Sequence, residues 1–184
     1  EKPFYGRKFF RIKLERFDEE KSKEFLRKGF EEEGIKVEER VIDEAVKLFD
    51  GIPGWLALFG RSYSYSLKHS SPVDMKTVVK EAAKQVSKEF IRFLVNSNSP
   101  RRYAEVVLSL SRLGNRGKLS EIRDVMNSLY KENVGDSRLH ELLKTLTNYG
   151  FVVKTGRGEY SLPADLPSRL GIKHAAVLWL KRMP

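Results

Sequence analysis

The residues with most to say about chemistry are Gly51-Ile52-Pro53-Gly54-Trp55. Glycine lets a backbone approach another group closely, and the proline ring fixes φ. Taken alone, the run reads as a helix stop at Gly51, a proline in the first turn of the next helix, and Trp55 in a core. Other near-matches to reactive motifs fail on their chemistry. Gly114-Asn115-Arg116-Gly117-Lys118 lacks the Gly-x4-Gly-Lys-Ser/Thr spacing, and Leu119 supplies no hydroxyl for magnesium, so it reads as a turn between helices. His140-Glu141-Leu142-Leu143-Lys144 has lysine where a zinc site needs a second imidazole, and His69 and His174 are far away in sequence. Ser161 stands where a dinucleotide loop beginning Gly156-x-Gly158 needs its third glycine. No Ser, His or Asp pairs a nucleophile with a base, so neither a catalytic residue nor a metal ligand is assigned.

The elements that would hold these residues follow from periodicity. Phe9 to Leu14 alternates apolar and basic residues after its first Phe, as a strand does. Asp18 is placed as an N-cap, and Phe25, Leu26 and Phe30 give the helix that follows one apolar face before Gly34. A second helix is predicted over 38–49, a third from Pro53, and a long one over 74–95. Asn96-Ser97-Asn98-Ser99-Pro100 reads as a linker and places the domain boundary. Beyond it the pattern predicts helices over 101–113, 120–131 and 137–149. A hairpin follows, with strands 151–154 and 159–162 around Thr155–Gly158, and a last helix spans 170–180, packing through Ala176, Val177 and Leu180. Three helices and a hairpin are the winged-helix order. The expected fold class is mainly α, a helical lid followed by a winged helix with a two-stranded wing.

Composition narrows the partners. A chain of 184 residues with 40% hydrophobic and 33% charged residues can bury one or two cores. The net charge of +10 favours polyanions, but the basic excess is spread along the chain rather than gathered into a stripe. With no cysteine, disulfides and thiolate metal sites are excluded, and no apolar run is long enough for a membrane helix. The opening Glu1-Lys2-Pro3-Phe4-Tyr5-Gly6-Arg7 has no initiator methionine and no signal-peptide pattern. The reading is of a cytoplasmic segment whose first part lies elsewhere.

Residues 5–60 resemble the archaeal ATPase family, P-loop proteins close to the AAA+ and STAND groups. The resemblance rests on Tyr5-Gly6-Arg7, Ile12-x-Leu14, Phe17, Phe25-Leu26-x-x-Gly29-Phe30 and, most specifically, Leu48-Phe49-Asp50-Gly51-Ile52-Pro53-Gly54-Trp55-Leu56. It implies that residues 1–16 are the end of a nucleotide-binding core, 17–99 a helical lid, and 100–184 a winged-helix domain with a C-terminal helix. It further implies that Gly51, Ile52 and Pro53 lie against the adenine of ATP and that Arg7 reaches toward phosphates or a neighbouring subunit. Magnesium and the phosphates would be held by a core whose P-loop and Walker B acid are not in this sequence, so the chain would not hydrolyse ATP alone. A proline ring suits this role: it is flat, apolar and already fixed.

In the winged helix, Ser137, Arg138, Lys144, Thr145 and Asn148 form the polar face of the candidate recognition helix, and Arg157 tips the wing. Such a face contacts duplex DNA in DNA readers. Glu141 lies on it too, and in the resembling family the same surface often packs on the ATPase core or holds a protein. Expected partners are therefore the nucleotide-binding core or another protein, with duplex DNA as the alternative, and no membrane.

Overall fold

The computed structural model describes residues 15–69, 74–131 and 133–182. Arg7 and the Phe9–Leu14 strand expected from the sequence lie outside the described residues. Asp18 starts α1 (Glu19–Glu32) by accepting the Lys21 amide at 2.8 Å, with Glu19 and Glu20 against the positive helix end. Next, α2 (Glu39–Phe49) ends in two left-handed residues, Asp50 at φ 47° and Gly51 at φ 69°. α3 (Pro53–Lys68) starts at once, with Pro53 in its first turn where no amide is needed. Phe30, Phe49 and Phe59 meet between these helices, with ring centroids 5.9–6.2 Å apart, and with Leu26, Ile42, Ala45 and Leu56 they form the first core.

The long helix α4 (Met75–Val95) belongs to two cores. Val78 and Val79 close the first, while Val86, Phe90 and Leu94 enter the second. The second is built with α5 (Pro100–Arg112), β1 (Arg116–Lys118), α6 (Leu119–Tyr130) and α7 (Asp136–Asn148), then β2 (Val153–Gly156), β3 (Glu159–Ser161) and α8 (Leu166–Arg182). Aromatic rings bind α4 to this unit across residues 96–99: Phe90 meets Phe151 at 4.8 Å, and Phe93 meets Tyr149 and Tyr103 at 4.9 and 5.0 Å. The fold is mainly helical with one small antiparallel sheet, consistent with a helical lid and a winged helix.

Three details depart from the sequence reading. Arg116–Lys118, expected as part of a turn, is a strand, and it makes the sheet three-stranded in the order β1-β3-β2. Its pairing is set by backbone rather than side chains: Gly117 sits opposite Tyr160, and the Leu162 amide donates to the Asn115 carbonyl at 2.9 Å. The wing strand begins at Val153, because Phe151 and Val152 are drawn into the core before it. Finally, α8 starts at Leu166 rather than near Leu170, and Val177 is exposed while Ile172, Ala175 and Ala176 are buried. Helix α8 lies against both α4 and α5, so it lacks the single apolar stripe that marks a surface helix.

Candidate functional site

The turn between α2 and α3 is assembled from backbone contacts. Gly51 accepts the Phe17 amide at 2.8 Å, and a Cβ at Gly51 would stand 2.0 Å from the Phe17 carbonyl oxygen. Glycine is therefore required here twice, for its positive φ and for this contact. Ile52 donates its amide to Phe49 and accepts the Trp55 amide, which holds the corner between the helices. The half-buried Trp55 ring packs against both cores, and its buried indole nitrogen has no hydrogen-bond partner among the described residues. Gly51 and Trp55 thus have folding roles of their own.

Ile52 and Pro53 remain partly accessible, Gly54 is exposed, and a Cβ on Gly54 would meet open space. A hollow of about 520 Å³ opens beside the turn between α1 and α2, lined in part by Phe17, Lys23, Asp43, Asp50 and Gly51. Lys23 is held there by Glu19 and Asp43 at 2.8 and 2.9 Å, and these hydrogen bonds raise its pKa. Glu19, Asp43 and Asp50 line it together with Lys23 and Lys47, whereas Ile52 and Pro53 are not part of its lining.

Sequence reasoning missed two residues next to this turn. Arg16 pairs with the Asp50 carboxylate and also reaches Asp165, whose side chain is fully buried, at 3.4 Å. The other Asp165 oxygen accepts the Ser168 amide at 2.8 Å and caps α8. An Asp three residues before a Ser near a helix start was a legible signal for the cap. The pairing with Arg16, across most of the chain, was not.

The residues proposed for the recognition helix divide between two faces of α7. Ser137, Lys144 and Asn148 are exposed along its outward side, and Arg157 is exposed between β2 and β3. Arg138 is turned toward the 96–99 segment, donating to Glu141 and to Ser99 Oγ, both at 2.8 Å. Thr145 donates its hydroxyl to the Glu141 carbonyl and lines a recess with Phe93, Tyr103 and Tyr149. The structure brings Ser137, Lys144 and Asn148 together and assigns Arg138 and Thr145 to internal contacts.

No membrane-length apolar helix and no metal-ligating cluster occur among the described residues. No protein-family model matches the chain, and no curated protein does. Among solved structures, the Walker-type ATPase of Pyrococcus abyssi matches with a TM-score of 0.70 and 30% identity, over 93% of this chain and 46% of its own. The chain spans about half the length of that protein, and resembles that half in both fold and sequence.

Proposed function

We propose that this chain is the lid and winged-helix portion of an archaeal-type P-loop ATPase. In this reading the lid closes over ATP held mainly by a separate nucleotide-binding core, where magnesium also sits. The observation that carries it is the match over nearly the whole chain to about half of a Walker-type ATPase. The partial accessibility of Ile52 and Pro53, with open space over the neighbouring Gly54, supports an adenine-facing role, and Gly51 shapes the turn that presents them. Nucleotide would act by binding closed and open arrangements unequally, which is the only way a ligand shifts such an equilibrium. Closure would require the chain to dock on its core, its expected protein partner.

In a polypeptide carrying both this chain and a P-loop core, Pro53→Ala should weaken ATP binding about three- to tenfold, the effect of losing one apolar wall of a base site. Equilibrium titration with a fluorescent ATP analogue measures it, and unchanged affinity would remove the adenine-wall role. The isolated chain should hydrolyse no ATP above background.

A second reading is favoured by the outward set of Ser137, Lys144 and Asn148 together with the exposed Arg157 on the wing. These residues would contact duplex DNA. Low-salt binding to a generic duplex should then lose about one unit of salt slope for each of Lys144→Ala and Arg157→Ala. Arg138→Ala should change it less, because Arg138 is held by Glu141 and Ser99. Absence of binding at low salt would end this reading and leave docking to protein.

A further inference from the structure

Between α1 and α3 lies an open groove of about 620 Å³, with the buried Leu26, Phe30 and Leu56 in its floor. Phe25 and Tyr65 also line it, 39% and 63% exposed. Two further lining residues, Gly29 and Gly60, lie inside helices, where glycine is a poor choice. Neither has a positive φ. A Cβ on Gly29 would meet nothing within 4 Å, and one on Gly60 only Leu26 Cδ2 at 3.8 Å, an ordinary contact. The chain's own packing therefore requires neither glycine. What both do is leave room for another backbone to come close. Ser64 is an independent sign. It lines the groove, is only 8% exposed, and its hydroxyl makes no hydrogen bond among the described residues. A buried hydroxyl without a partner is costly until something supplies one.

Shape and charge select the occupant. From Leu56 to Lys68 the groove follows about 18 Å of α3, the length of three turns of a facing helix. Ala57, Gly60 and Ser64 recur at helical spacing, a row of small residues into which the ridge of such a helix fits. Lys28 and Lys68 are paired with Glu24 and Glu33, whereas Glu32 on α1 and Arg61 on α3 form no salt bridge among the described residues. Pro53 heads the same row, one turn before Ala57, so the groove continues from the turn assigned to the nucleotide. We propose that one amphipathic helix of the nucleotide-binding core seats in this groove. Its small apolar residues lie against Gly29, Ala57 and Gly60, and one of its side chains hydrogen-bonds Ser64. A basic residue on one edge meets Glu32, and an acidic residue on the other meets Arg61. That the helix belongs to the core rests on the function proposed above; the fit of the groove to a helix does not.

The chain contains no cysteine, so one introduced thiol reports on the groove. Ala57 is exposed, and Ala57→Cys in this chain alone should react freely with a maleimide. In a polypeptide joining the chain to a cysteine-free P-loop core, the reaction should be about tenfold slower or more, because only the undocked fraction reacts. Gly29→Leu fills the groove and should return that rate to its value in the chain alone. The same substitution should raise the urea midpoint of the chain alone, since leucine favours a helix and its Cβ enters open space. Equal rates in the two polypeptides, or protection that survives Gly29→Leu, overturns the proposal. A lowered midpoint would show that the chain's own packing needs Gly29, which also overturns it. So does slow labelling of the chain alone that speeds on dilution, which would make a second copy the occupant. Protection with unaltered ATP affinity in Pro53→Ala keeps the groove and discards the adenine wall; weaker affinity without protection does the reverse.

Discussion

Replacing Gly51 with alanine is expected to cost about 3–4 kcal/mol of folding stability, far more than one added methyl group usually does. Two costs combine. Alanine at φ 69° carries the left-handed penalty of about 1–2 kcal/mol. Its Cβ would also stand 2.0 Å from the Phe17 carbonyl oxygen, where the obstacle is backbone and not the movable end of a side chain. Relieving that overlap means giving up the 2.8 Å bond from the Phe17 amide to Gly51 and moving Arg16 off the turn. Urea denaturation followed by circular dichroism gives the difference directly. Gly54→Ala is the matched control: it lies in the first turn of α3 with open space around it, and should stabilise the chain by about 0.5–1 kcal/mol.

Gly171→Val should be comparably damaging, at about 3–5 kcal/mol, through a different cause. Gly171 lies in α8 where that helix crosses α4, and a Cβ there would come within 2.4 Å of the Ala83 carbonyl oxygen and 2.8 Å of Val86 Cβ. Both helices are packed into the second core, so neither can retreat without opening a cavity around Ile172 or Val86. Thermal unfolding should therefore show a large fall in Tm. Because α4 runs through both cores, the transition should stay a single one, with the first core lost along with the second. A separate transition for the first core would show that α4 does not unite the two.

How far the sequence discloses this fold depends on which contacts are local. Asp18 as a cap, Pro53 as a helix start and the apolar stripe of α4 all act within a few residues, and each stands where its spacing implied. The third strand was hidden because Arg-Gly-Lys carries no alternation of its own. It exists only because β3 offers a free edge to its backbone. The start and orientation of α8 were hidden for a related reason, since a helix covered on two sides shows no single stripe. At the candidate site, Gly51 and Pro53 were visible as types suited to a tight corner. The contact that makes Gly51 indispensable comes from Phe17, and the ion pair that ties the corner to α8 comes from Asp165. Likewise, helical spacing put Arg138 and Thr145 on the same polar face as Lys144, and only the packing of α7 beside the 96–99 segment separates them.

The most direct test is photolabelling with an ATP analogue bearing an azide on the adenine, carried out on a polypeptide that joins this chain to a P-loop core. Digestion and mass spectrometry should find the label in the peptide containing Ile52 and Pro53, and excess ATP should abolish it. Labelling confined to the P-loop core, or unaffected by ATP at the 52–53 peptide, would contradict the placement of this turn over the base.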